Sequence, residues 1–125
     1  MKRIALFSVC LVSSVLGCAS MAQAPDAKNG QAMFSRCAAC HNNAKGGPNG
    51  LGPNLFGVVG RKAGTVKDFA YSAAMKSAGF IWNNQKLDTY IANPAKTVPG
   101  NRMAFAGIAD AKQRGDLIAY LDTLK

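Results

Sequence analysis

The feature that most constrains this chain is the run Cys37-Ala38-Ala39-Cys40-His41. It contains the single His of the sequence and, once an N-terminal leader is set aside, the last two of its four Cys. A structural zinc site asks for four Cys/His ligands, and the residues left here number three. A redox dithiol is expected beside a βαβ pattern, but no period-2 strand precedes Cys37. A disulfide across two residues closes almost no loop and stabilises little. The reading that survives is covalent haem c attachment, in which two thiolates add to the vinyl groups and the adjacent imidazole binds iron. Two intervening residues on a helical turn bring both sulfurs to one edge of a planar macrocycle. The next residue then points its imidazole at the metal. With one His, bis-histidine iron is excluded by counting.

The leader has the secretory pattern. Met1-Lys2-Arg3 gives a positive end, an apolar run follows from Ile4 to Leu16, and small residues come next. That run is short of the roughly 20 apolar residues a spanning helix needs. There is no twin-Arg pair, which favours export of an unfolded chain. Ser20-Met21-Ala22 and Ala22-Gln23-Ala24 both fit the small-x-small rule. A cut after Ala24 would leave Pro25 first, so the expected division is a signal peptide over 1–22 and a single domain over 23–125. Val15-Leu16-Gly17-Cys18 is similar to a lipoprotein cleavage box, so a lipid anchor through Cys18 is the alternative to a soluble protein of the bacterial periplasm. Residues 23–125 carry 13 Lys+Arg and 6 Asp, a charge of about +7.

Local patterning is helical with one long irregular stretch. Asp26 caps an expected helix over 27–40, with Gly30, Met33, Phe34 and Cys37 on one face. Residues 42–60 are rich in Gly and Pro and have no period, which predicts a loop. Short helices are expected over 68–76 and 84–92, the second ending before Pro94. The last helix starts at Asp110 with Gln113 in a capping-box-like pair, and buries Leu117, Ile118, Leu121 and Leu124. Gly30, lacking a side chain, lets that helix approach closely. A core this small is marginal alone, so haem supplies much of its filling and the apoprotein is expected to be largely unfolded.

The residue closing the other face of the iron is left open by spacing alone: Met33, Met75, Met103, a Lys amine or nothing. Met103 follows Val98-Pro99-Gly100-Asn101-Arg102, where Pro-Gly breaks regular structure and leaves an extended loop. From about Asp26 to Lys125, however, the chain resembles class I cytochrome c of the mitochondrial and bacterial c2 type. The matching pieces are C-A-A-C-H at 37–41 and G-P-N-L-F-G-V-V-G-R from Gly52 to Arg61. Tyr71-Ser72, Trp82, Tyr90, Asn93-Pro94, Pro99-Gly100 before Met103, F-A-G-I from Phe105 and D-L-I-A-Y-L from Asp116 follow in order. The resemblance implies an all-α fold of several helices packed around one covalent haem c, with the N- and C-terminal helices in contact. It implies thioether bonds at Cys37 and Cys40, axial ligands His41 and Met103, and a Pro53 carbonyl accepting from the other ring nitrogen of His41. It further implies that Arg61, Tyr71 and Trp82 hydrogen-bond a buried propionate and that Tyr90 lies beside Met103. The chain departs from the family pattern at Met75, often Asn, at Asn101, usually Thr, and at Arg102, commonly Lys. Its first helix is one residue tighter than in mitochondrial members.

A six-coordinate iron has no open position for a substrate, and the only His is on it. The expected function is therefore a periplasmic carrier of single electrons and not an enzyme. Arg36, Lys45, Lys62, Lys96, Arg102 and Lys112 flank segments expected around the haem edge, a positive face that would steer the protein to acidic docking surfaces. The expected partners are a bc1-type donor and, as acceptor, a terminal oxidase, a reaction centre or a nitrogen-oxide reductase. The charges are dispersed without interleaved aromatics, which argues against nucleic acid, and a monomer is expected. The alternative is a haem-based gas sensor or peroxidase-like protein in which Met103 is off the iron.

Overall fold

The structure is a computed structural model that describes Gly17 and residues 21–125. Most of the expected leader, including Cys18, lies outside the described residues. The described helices are α1 (Ala27–Met33), α2 (Ser35–Ala38), α3 (Ala73–Ser77), α4 (Asn84–Ala92), α5 (Pro94–Thr97) and α6 (Ala111–Asp122). Among the described residues no helix is long and apolar enough to cross a membrane.

Side-chain caps set most of the helix starts. Asp26 accepts from the N–H groups of Lys28 and Asn29 at 2.9 and 3.3 Å, satisfying donors the first turn leaves orphaned. Asn83 does the same for Lys86 at 2.7 Å and Asp110 for Gln113 at 2.9 Å. The helix expected over 27–40 is not continuous, because Phe34 separates α1 from α2. Its N–H is shared between the carbonyls of Gly30 (3.0 Å) and Gln31 (3.2 Å), a bifurcated bond that tightens the turn. The helix expected over 68–76 starts only at Ala73. Asp68 sits at φ 57, in the left-handed region, which a helix cannot pass through. Ser72 then caps the N–H of Met75 at 3.1 Å.

α4 has the expected bounds, but Pro94 does more than stop it. Asn93 leaves the helical region at φ −157, and its side chain accepts from the Lys96 N–H at 3.0 Å. Pro94 then opens α5 at a position where its missing N–H costs nothing.

The core forms where α1 crosses α6. Gly30 is buried beneath the Asp116 carbonyl, and a Cβ there would collide with it. Leu117, Ile118 and Leu121 are buried on α6, each contributing on the order of 1.5–3 kcal/mol, while Leu124 is half-buried against them. Phe34 meets Tyr120 edge-on with ring centroids 5.6 Å apart. Leu87 and Ile91 bring α4 onto the same cluster. Asp116 is fully buried within this apolar seam. It accepts from the Asp26 N–H (2.7 Å) and the Asn29 amide (2.6 Å), and Lys112 Nζ lies 2.8 Å from both oxygens. One carboxylate thereby ties the two ends of the chain together.

The helices form a frame, and the long irregular stretches are strung on it. Residues 42–60 form the expected loop. An antiparallel bridge between Lys62 and Ile81 joins two extended segments, reinforced by Gly60 N–H to Trp82 O (2.7 Å) and Trp82 N–H to Arg61 O (2.8 Å).

Candidate functional site

Cys37 and Cys40 are one turn apart at the end of α2, and both are free thiols. The Cys37 carbonyl accepts from the N–H groups of Cys40 (3.0 Å) and His41 (2.9 Å), so the backbone wraps tightly through the motif. Cys37 is half-buried, and burial pushes its thiol up while neighbouring Arg36 opposes that shift. Cys40 is exposed.

His41 is held from two sides. Its Nδ1 lies 2.7 Å from the Pro53 carbonyl, which fixes the tautomer with the proton on Nδ1 and leaves Nε2 with a free lone pair. Gly52 lies flat against the ring, and a Cβ there would strike Cε1 and Nδ1. Burial pushes the imidazole pKa down, opposed by the Pro53 bond, so the ring is neutral at pH 7, the form that ligates.

Met103 is carried by the irregular segment after α5. Asn101, the departure from Thr, anchors that segment: its amide donates to Pro94 O and Val98 O at 2.9 Å, and its oxygen accepts from the Met103 N–H at 2.8 Å. Tyr90, buried on α4, directs its hydroxyl to Met103 Sδ at 3.7 Å. Of the other two methionines, Met75 is buried in the core, and Met33, like Met103, is partly buried against it.

Arg61 donates to Phe56 O at 3.2 Å, and burial lowers its pKa while nearby Tyr71 opposes the change. The Tyr71 hydroxyl accepts from the Val66 N–H at 3.0 Å. Trp82 is buried edge-on between Phe80 and Tyr90, centroids 4.6 and 4.9 Å away. Around these lies a set of half-covered apolar side chains, among them Leu55, Val59, Phe80 and Phe105.

Two charges singled out in the sequence are already engaged. Lys112 is paired with Asp116 across one turn of α6, and Arg102 donates to Ala70 O at 2.9 Å. Arg36, Lys45, Lys62 and Lys96 are exposed. Sequence reasoning missed Asp116 as a buried group, and it missed Asn54, a buried Asn inside the 42–60 loop. All four Asn in that loop are wholly or partly buried, yet Asn in a Gly-rich stretch reads first as a turn former.

Comparison with known proteins agrees with this geometry. Residues 27–125 match the family described as Cytochrome c. The chain is 56% identical to cytochrome c of Trypanosoma brucei brucei, over 66% of this chain and 88% of that one. It is 50% identical to cytochrome c of Euglena viridis, over 80% and 98% respectively. Among solved structures it is similar to cytochrome cH from Methylobacterium extorquens, with TM-score 0.74 and 47% identity, covering 78% of this chain and 98% of that chain. The chain belongs to the cytochrome c family, as a class I c-type cytochrome with an all-α fold whose N- and C-terminal helices touch. Members of this family are electron carriers and not enzymes, and they hold a single covalent haem c.

The residues present fit that cofactor. Two free thiols one turn apart, an imidazole with one nitrogen engaged and the other free, and a thioether on a separate loop are the donors that would hold it. The half-covered apolar side chains offer hydrophobic area that a macrocycle would cover.

Proposed function

We propose that this protein shuttles single electrons with its iron held by His41 and Met103 and its haem bonded through Cys37 and Cys40. The observation that carries this reading is the Nδ1 contact of His41 with Pro53 O, 2.7 Å. It leaves Nε2 as the only ring nitrogen available, on the residue next to the thiol pair. The haem, when bound, supplies a one-electron couple whose potential thioether ligation raises. The rest of the work belongs to the chain. Tyr90 holds the Met103 sulfur by its hydroxyl, while Asn101 holds the backbone that presents it. Arg61, Tyr71 and Trp82 would neutralise and hydrogen-bond a propionate of the haem. Ligands fixed by such contacts move little between redox states, which keeps electron transfer fast.

The exposed cations Arg36, Lys45, Lys62, Lys96 and Arg102 steer the protein to acidic faces of membrane redox complexes, a bc1-type donor and a terminal oxidase, reaction centre or reductase as acceptor. The leader over 1–22 directs residues 23–125 to the periplasm. Addition of carbon monoxide to the dithionite-reduced, haem-loaded protein tests the site. No change in the visible spectrum at neutral pH is expected for the native chain, and a carbonyl spectrum is expected for Met103→Ala. Prompt carbonyl formation by the native protein would overturn the assignment and leave an open iron position.

A further inference from the structure

The 42–60 loop is organised around one residue that nothing above uses. Asn54 is 9% exposed, and each polar atom of its side chain has a partner. Its amide donates to Ala44 O and Gly47 O, both at 2.9 Å, and its oxygen accepts from the Phe56 N–H at 2.8 Å. These partners fix the orientation of the amide, because two carbonyls can face only the NH₂ end. Ala44 and Gly47 lie on the outgoing arm of the loop, three and six residues after His41. Phe56 lies on the returning arm, three residues after Pro53. The Asn54 side chain therefore ties the strand of chain that leaves His41 to the strand that brings Pro53 back to it.

The backbone of Asn54 acts at the same point. The Pro53 carbonyl and the Asn54 N–H belong to one planar peptide unit and point to opposite edges. The carbonyl faces His41 Nδ1 at 2.7 Å, and the N–H donates to Asn49 Oδ1 at 2.9 Å. Asn49 in turn donates to Lys67 O at 3.0 Å, outside the loop. The plane that orients His41 is clamped at both edges, and the side chain of Asn54 stops the whole unit from shifting.

We propose that Asn54 is a positioning residue for the axial imidazole, setting the strength of the His41 Nδ1–H bond to Pro53 and through it the donor character of the ring. It touches neither iron nor ring; it acts through the peptide plane. A firm bond from Nδ1–H makes the imidazole a stronger donor, and a stronger donor favours ferric iron. Loosening the clamp should move the reduction potential to a more positive value. This inference rests on His41 as iron ligand.

The experiment uses the full haem-loaded protein and its Asn54→Ala variant. Midpoint potential, thermal midpoint and, by nuclear magnetic resonance of the ferric form, the hyperfine-shifted ring protons of His41 are measured together. The expected result is a positive shift of potential together with faster Nδ1–H exchange. Ile118→Val, in the seam between α1 and α6, serves as a purely structural control. It should lower the thermal midpoint while leaving potential and ring exchange alone. If Asn54→Ala behaves like this control, the proposal is overturned. If the native ferric protein shows no hyperfine-shifted His41 ring, the ligand assignment itself has failed. Should Asn54→Ala not mature, Asn54→Ser, whose hydroxyl still accepts from the Phe56 N–H and adds no charge, carries the same expectation.

Discussion

The Cα of Gly30 rests on the backbone carbonyl of Asp116, leaving no room for even a methyl group between α1 and α6. The contact brings the first helix to the last, and the Asp116 side chain locks it by reaching back to Asp26 and Asn29.

Gly30→Ala should therefore be far costlier than a glycine-to-alanine change in an open helix, where it stabilises by helix propensity. The added carbon meets backbone, which cannot swing aside. A loss of roughly 3 kcal/mol or more is expected, at the upper end of overpacking penalties. Chemical denaturation of the haem-loaded protein measures it, and a neutral or stabilising effect would show that the helices separate without cost.

Acid should act through Asp116. Hydrogen bonding from Lys112 and from the N–H of Asp26 and the amide of Asn29 holds its carboxyl from the ordinary 3.8 down to about 2. The folded state thus stays ionised to lower pH than the unfolded chain does. That difference contributes stability at all pH above the ordinary value, and the contribution is lost as pH falls through about 2. Asp116→Asn should unfold at lower temperature than the native protein at pH 7, with the gap narrowing below pH 4. Thermal melts at a series of pH values would reveal a constant gap if the carboxylate's charge were irrelevant.

Tyr90 should govern how readily Met103 is displaced. Its hydroxyl donates to the sulfur, and burial pushes the phenol up to about 12, so it remains a donor throughout the neutral and alkaline range below that value. In Tyr90→Phe the net loss of one hydrogen bond, about 1 kcal/mol, should tighten binding of added imidazole to ferric protein severalfold. Spectrophotometric titration with imidazole gives the comparison directly.

The two lysines Lys45 and Lys112 should behave differently. Lys45 is exposed, while Lys112 is committed to Asp116. Oxidation by hexacyanoferrate(III), an anionic acceptor, should slow and lose part of its salt dependence in Lys45→Glu. Lys112→Gln should leave that rate nearly intact and lower the melting temperature instead. Equal kinetic effects would place both charges on the same encounter surface.

Much of the helical frame was legible in the sequence because caps and breakers are local signals. Asp26, Asp110 and Pro94 mark boundaries through groups only one to three residues away, and Gly30 signals close packing by what it lacks. The attachment motif was legible for the same reason, since its chemistry is written in five consecutive residues. The misses have a different origin. Phe34 interrupts the first helix through a shared N–H that no residue type announces. Asp68 is no glycine, so its left-handed backbone gave no warning. Asn93 both ends α4 and caps α5, whereas the sequence suggested only the first role. Asp116 reads as a solvent-facing charge on α6, because its partners Asp26 and Asn29 are 90 and 87 residues distant. Asn54 was hidden similarly, its importance residing in carbonyls of ordinary residues across a loop.

The closure of α1 by α6 has a consequence for how the cell could inspect this protein. The bond between Asp26 and Asp116 spans 90 residues and joins the start of α1 to the middle of α6. A chain that lacks either helix cannot make it. A polypeptide truncated before α6, or nicked so that its end drifts away, would expose the buried faces of Gly30 and Phe34 together with free ends of helix backbone. The seam thus makes α1 and α6 depend on each other, and a protease that recognises frayed helices would find a substrate whenever either is lost.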